Sequence, residues 1–398
     1  MMRILYLFPR TPYPVNSGDT VRNAALLQLV RSVADRLDVI TLPQPPGPDA
    51  DAGLATLIEL ADDTTVVGEP LGELLKRPSN RIATLAGRPY HDSVANESSI
   101  RSAIGARLRS HPPYDHVILS QLFMFPAIPR NFHAKTIFDT HNVEHLRIRA
   151  MLQGASRATR ALSPWVAPRI AKLESQAVSK SRLTLACSEP DRSALLDLSP
   201  GADVRIVANG VTSTTVPRAA TDIQKHRVLF LASLDYSANI DSLRYLISEI
   251  LPLLDAEVEL TIAGSNPRPE VNAIVQSASR NVTYLGQVAD AAALMRESAV
   301  LVVPVRLGGG TRLKVLEAMN LGVPVVSTSK GCEGIPLEAG REYLRGDSPS
   351  EFAAAVNRLV RDDALASRTA QLAHRAVARD FDWNITWRPL KEALHQGP

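Results

Sequence analysis

Two short apolar runs in different halves of the chain, RILYLF at Arg3 to Phe8 and RVLFLA at Arg227 to Ala232, have the same form. Each is a β-prone run followed by a polar turn and an amphipathic stretch, the pattern of a buried strand feeding a helix. More runs of this kind follow: LDVITL, DHVILS, KTIFDT, LTLACS and VRIVAN in the first half, VELTIAG, VTYLG, AVLVVPV and PVVSTS in the second. Segments of helical periodicity, such as Val21 to Ala34 and Pro168 to Val178, separate them. This alternation predicts an α/β protein whose two halves are each a doubly wound parallel sheet. Before Arg227 the stretch TSTTVPRAATDIQKH, with Pro217, has the composition of a linker. The expected organisation is a first domain over 1–212, a linker over 213–226, a second domain over 227–380 and a terminal helix over 381–398. In that helix Trp383 and Trp387, four apart, share one face. The proline-rich PQPPGPDADAG at 43–53 is expected as a surface loop, and its acidic pair is not expected to hold a metal.

Composition narrows the classes. A chain of 398 residues, 45% hydrophobic and 21% charged, can build two cores of ordinary size. A net charge of +3 is too small a bias for a nucleic-acid binder, so any positive site must be local. Two cysteines, Cys187 and Cys332, exclude a disulfide framework and a cysteine zinc site, and a cytoplasmic setting is the expectation. The first apolar run is broken by Pro9 and Arg10, and no later run approaches the roughly 18 apolar residues of a membrane span. Between Arg147 and Arg182 lie eight basic residues and one acid, Glu174. Such a face suits an anionic acceptor, a peripheral membrane contact, or simply water.

The richest stretch is RLGGGTRLKVLEAMNLGVPVVST at 306–328. Gly308, Gly309 and Gly310 permit positive φ and close approach of a ligand, and Leu313, Leu316 and Met319 then recur at helical spacing. The loop therefore feeds a helix N-terminus, where free N–H groups favour an anion. Arg312 and Lys314 in the first turn oppose the helix dipole and fit best with a diphosphate between them. Glu317, one turn beyond Lys314, presents a carboxylate able to accept two hydroxyl hydrogen bonds, as a ribose requires. A weak surface pair between Lys314 and Glu317 is the plain alternative.

This segment resembles the donor-site signature of nucleotide-sugar glycosyltransferases of the GT-B fold, specifically the retaining GT4, or group 1, family. The resemblance extends through ILYLFPRTPYPVNSGDTVRN, FDTHNVE, ACSEPDR, VANGV, FLASLDYSANIDSL, LTIAG and VTYLGQV, in that order. It implies two Rossmann-like domains facing across a cleft, with a terminal helix crossing back to the first. It implies a donor set of Gly18, Ser233, Asn239, Gly286, Val288, Gly308, Gly309, Gly310, Thr311, Arg312, Lys314, Leu316 and Glu317, with Gly286 and Val288 at the base edge. The family usually carries two glutamates separated by seven residues; Glu317 matches the second, and Gly309 stands where the first is expected. The family's Arg and Lys after the first strand of the second domain are absent from FLASLDYSANID, and Arg312 and Lys314 look like their replacements.

In the first domain Gly18 opens a helix after a strand, with Ser17, Asp19 or Thr20 as cap and Arg22 in the first turn, a second anion-facing geometry. Arg22 either contacts phosphate or pairs with a carboxylate. His141 follows an apolar run and so falls at the C-terminal end of a parallel strand, where α/β sheets bind ligands. Its ring can donate to a sugar hydroxyl or a phosphate, and the resemblance makes it face the reacting sugar. Asp139, Asn142 and Glu144 lie beside it on the acceptor side, and an inverting enzyme would take its base from these carboxylates.

The expected reaction is sugar transfer from a UDP-, GDP- or dTDP-sugar to a saccharide, lipid-linked or small-molecule acceptor. By resemblance it proceeds with retention, and it needs neither a metal nor a tightly bound cofactor. A nucleotide-sugar epimerase or hydrolase on the same fold, or a silent binding subunit, is the alternative.

Overall fold

The computed structural model describes residues 1–15, 17–80, 94, 97–153, 163–214, 218, 223–280, 282–308 and 312–396, apart from the side chains of Pro48, 151–153 and 163–165. The chain divides into two units, one of Met1–Ala208 with Trp387–Pro398 and one of Asn209–Thr386.

In the first unit β1 (Arg3–Phe8), β2 (Arg36–Thr41), β3 (Asp63–Val66), β4 (His116–Ser120), β5 (Thr136–Asp139), β6 (Leu183–Ala186) and β7 (Val204–Ile206) form one sheet. Its order is β3-β2-β1-β4-β5-β6-β7, with every pair parallel. Every residue of β1 and of β4 is buried, which is why these strands read as continuous apolar runs rather than alternating ones. The winding reverses between β1 and β4, leaving a crevice at their C-terminal ends where ligands of such sheets bind.

In the second unit β8 (Gln224–Leu231), β9 (Glu259–Ala263), β10 (Thr283–Gly286), β11 (Ser298–Val303), β12 (Val325–Ser327) and β13 (Leu344–Arg345) repeat the plan. The order is β10-β9-β8-β11-β12-β13, parallel throughout, and the winding reverses between β8 and β11. Val228, Phe230, Ile262, Val300, Phe352 and Val356 are fully buried at its centre. Two parallel doubly wound sheets, each on its own core, make the chain α/β with the two sheets of the GT-B fold.

Several local expectations need correction. The segment expected as a loop at 43–53 enters the helix Pro48–Leu60, with Pro48 in its first turn and Asp49 and Asp51 beside the positive helix end. The prolines mark the start of that helix, where a missing N–H costs nothing, and the acids serve its dipole. Strand β8 begins at Gln224, inside the expected linker, because its first residues QKH are exposed and carry no apolar signal. The single terminal helix is in fact two, Trp383–Thr386 and Arg388–His395, with Trp387 between them. Pro389 sets the break, since its ring cannot continue the preceding turn. The second of these helices belongs to the first unit, where His116 Nε2 lies 3.0 Å from the Leu394 carbonyl and Arg182 donates to that of Ala393.

Candidate functional site

The switch point of the second sheet carries the first cluster. Beyond β11 the chain runs through Arg306 to Gly308, and the helix Leu313–Asn320 begins after Arg312. Arg306 anchors the base of this loop: it donates to Asp241 at 3.0 and 3.3 Å and lies 4.1 Å over the Tyr245 ring. Gly308 has φ +90, and a Cβ there would stand 2.9 Å from the Tyr236 hydroxyl, so both backbone and space require glycine. Gly309, Gly310 and Thr311 lie outside the described residues.

Arg312 and Lys314 are half-buried. Arg312 Nη2 reaches the Leu307 carbonyl at 3.3 Å, and its Nε has no partner among the described residues. Lys314 Nζ donates to the Leu231 carbonyl at 2.8 Å, which ties the helix to the end of β8 across the reversal in winding. Among the described residues neither cation forms an ion pair, whereas Arg306 reaches two acids. Burial lowers the pKa of both, and for Lys314 the Arg312 charge pushes the same way, down to about 7. Burial raises the Glu317 carboxyl against the pull of Lys314. No side-chain hydrogen bond holds that carboxylate among the described residues, although it lies one turn from Lys314. Two partly desolvated cations with no salt-bridge partner among the described residues are costly unless an anion completes them. The cluster is therefore the candidate anion site, with a carboxylate on the same helix.

Leu316 is fully buried and offers a ligand no surface. Ser233 donates to Asp235 at 2.6 Å, and the Asn239 amide donates to the Ser233 carbonyl at 2.8 Å, so both shape the turn after β8. Gly286 has φ +64, and its carbonyl accepts from the Gly264 N–H at 2.7 Å. Val288 is half-buried in the turn that follows. Gly264 was not expected: a Cβ there would meet the Ala232 carbonyl at 2.1 Å, so only glycine lets the ends of β8 and β9 close up. The sequence signal was present, a glycine closing LTIAG.

The switch point of the first sheet carries a second cluster. Gly18 is the first residue of the helix Gly18–Arg31, capped by Ser17, whose N–H is met by the Thr20 hydroxyl at 3.0 Å. Asp19 is bound by Arg10, with Nε to Oδ2 at 2.7 Å. Arg22, 1% exposed, takes the carboxylate option: Nε lies 3.1 Å from each oxygen of Asp139, and Nη1 donates to the Val207 carbonyl at 2.8 Å. Burial alone would raise the Asp139 carboxyl, but the Arg22 guanidinium and His141 outweigh it and bring it down to about 2. With its oxygens so engaged, Asp139 is a structural partner and not a free base.

His141 sits within this network. Nε2 lies 3.3 Å from Asp139 Oδ2 and 3.3 Å from Ser120 Oγ, and the Gln121 amide lies 3.2 Å from Nδ1. Gln121 adopts φ 61, a strained value for a side-chain-bearing residue, and nothing in the sequence announces it. Asn142 is half-buried in the bend that follows. Glu144 opens the helix Glu144–Gln153 and binds Arg147 at 2.6 Å. The buried Glu174 accepts from the N–H groups of Glu144 and His145 and from His145 Nδ1 at 2.6 Å, capping that helix. Its position as the lone acid of a basic stretch was the only sequence sign.

Known proteins fit these two units. Residues 225–362 match the family model described as glycosyl transferases group 1. Over 141 residues the chain is 31% identical to the phosphatidyl-myo-inositol mannosyltransferase of Mycobacterium leprae (strain TN), covering 32% of this chain and 35% of that protein. The chain thus matches about a third of that relative's length. Among solved structures, sucrose-phosphate synthase from Thermosynechococcus elongatus aligns with a TM-score of 0.73 at 16% identity, over 99% of this chain and 98% of that one. Anabaena HepE, solved in complex with UDP and glucose, aligns with a TM-score of 0.66 at 16% identity over 100% of both chains. Residues 225–362, which contain the candidate anion site, are thus similar to the group 1 glycosyltransferases, within a chain that has the GT-B fold throughout.

Proposed function

We propose that the protein transfers a sugar from a nucleoside diphosphate sugar to an acceptor hydroxyl, with retention of configuration and without a metal. The observation that carries this is the pair of half-buried cations Arg312 and Lys314 at the switch point, in no salt bridge among the described residues and one turn from the Glu317 carboxylate. The diphosphate would lie against Arg312, Lys314 and the helix start, with the ribose hydroxyls on Glu317. As the glycosidic bond breaks, charge builds on the departing phosphate, and cations already stripped of water stabilise it with little reorganisation. The leaving phosphate then takes the proton of the incoming hydroxyl. The binding of UDP by HepE supports a UDP-sugar, with GDP- and dTDP-sugars the other donors of the class.

In the first unit His141 is the residue offered to the sugar, held by Asp139, Ser120 and Gln121. Acceptors on this reading are saccharide, lipid-linked or small-molecule hydroxyls, in polysaccharide, glycolipid or natural-product synthesis inside the cell. No described helix is long and apolar enough to cross a membrane. The exposed Arg169, Lys172 and Lys180 are the surface offered to an anionic acceptor or membrane, and part of that basic stretch lies outside the described residues. Incubation with labelled UDP-, GDP- and dTDP-sugars and an acceptor panel, with NMR of the product anomer, tests the reading. Transfer with retention is expected, with a loss of at least a thousandfold in Arg312→Ala/Lys314→Ala, about the scale of removing one strong transition-state donor or more. Release of free sugar irrespective of acceptor would instead mark a hydrolase.

A further inference from the structure

The N-terminal edge of the second sheet, at the end away from Arg312 and Lys314, opens into a cavity of about 650 Å³. That volume suits a small organic ligand. One wall is a single face of the helix Asp363–Asp380, formed by Asp363, Ala366, Ser367, Ala370, Gln371 and His374. The spacing of three and four keeps these residues in one row, and the small side chains at 366, 367 and 370 leave the space open. Ile223, Leu321, Leu359 and Val360 supply an apolar surface.

The charged and titratable side chains of the lining are Arg218, Lys225, Asp363, His374 and Arg375. His374 Nδ1 is 2.9 Å from the Asn320 carbonyl, and Arg375 follows it. Arg218 packs its Cβ beside Gly322 and donates from Nη1 to the carbonyl of Ser298, the residue in register with Gln224. Burial lowers the Arg218 pKa to about 10, and no carboxylate pairs with it among the described residues. The one acid of the lining, Asp363, is bound by Lys225 at 2.6 Å. That pair stands about 16 Å from His374 along the helix, at about 1.5 Å per residue. An elongated, largely apolar cavity with a guanidinium that no carboxylate pairs among the described residues asks for a ligand of matching form.

We propose that this cavity binds a free amphiphile, an apolar chain ending in a phosphate or carboxylate, whose oxyanion meets Arg218 while the chain lies along the alanine face. A guanidinium fork suits either headgroup. The site shares no residue with the nucleotide-sugar site and does not rest on that reading.

Calorimetric titration with monomeric dodecyl phosphate and dodecanoate tests it, with dodecanol and inorganic phosphate as the two halves of the ligand. Both amphiphiles should bind the full-length protein, and each half should bind at least tenfold more weakly. Arg218→Gln should weaken the amphiphiles at least tenfold and leave dodecanol unchanged, with an unaltered thermal transition showing that the chain is folded. Ala370→Phe, which fills the cavity, should remove binding of both chains. Absence of binding, equal affinity in Arg218→Gln, or binding only to vesicles containing dodecyl phosphate would overturn the proposal.

Discussion

At the scale of single residues the account rests on Lys314. Its ammonium is held among Leu231, Phe230 and Arg312 with a pKa brought down to about 7 by burial, against about 10.4 in a free chain. Between those values the unfolded chain binds the extra proton, so the stability of the unliganded protein rises with pH across this window. A bound diphosphate reverses the preference by favouring the charged form. UDP binding above pH 7 should therefore take up a proton, and affinity should fall about tenfold or more from pH 7 to pH 9. Calorimetry in buffers of different ionisation enthalpy reads the proton, and Lys314→Arg should flatten the profile. A pH-independent affinity in the wild type would mean that Lys314 does not meet the phosphate. The sequence made this site legible because cations at a helix start conflict with the dipole, and such a conflict is visible in one dimension. The Arg22–Asp139 pair was only half legible: Arg22 was read as a phosphate or carboxylate partner, and the partner's identity needed the fold. Gln121 was not legible at all, since φ 61 is imposed by its surroundings.

Among elements, the buried central strands were read correctly because parallel sheets covered on both faces demand continuous apolar runs. What escaped was β3, with the sequence DTTV, and the two-residue β13, neither of which has an apolar run to betray it. In the tail the aromatic spacing suggests one helix, whereas Pro389 marks the break between two. The ends of β8 and β9 carry a prediction of their own. Gly264 brings them into contact beside Leu231, the acceptor of the Lys314 ammonium. Gly264→Ala should cost about 1–3 kcal/mol, as for an overpacked site, and weaken UDP binding at least tenfold by displacing that carbonyl. Denaturant melts and calorimetry measure the two effects, with Gly72→Ala, where a Cβ meets nothing within 4 Å, as the unaffected control. Unchanged UDP affinity in Gly264→Ala would show that the contact does not shape the site.

For the whole molecule, two sheets with the same winding explain why ligand-type clusters recur at corresponding places, Arg22–Asp139–His141 in one unit and Arg312–Lys314–Glu317 in the other. The first is internally neutralised and shaped to hold a ring in place; the second keeps surplus positive charge for a ligand. On the proposed function that asymmetry assigns the acceptor to the first unit and the donor to the second. Its most direct measurement is calorimetric titration of the wild type and of Arg312→Ala/Lys314→Ala with UDP, GDP, dTDP and ADP. The wild type is expected to bind one of the four selectively, and the double variant, still folded, to lose that binding by at least a hundredfold. Absence of binding at millimolar nucleotide, or equal affinity in the double variant, would contradict it.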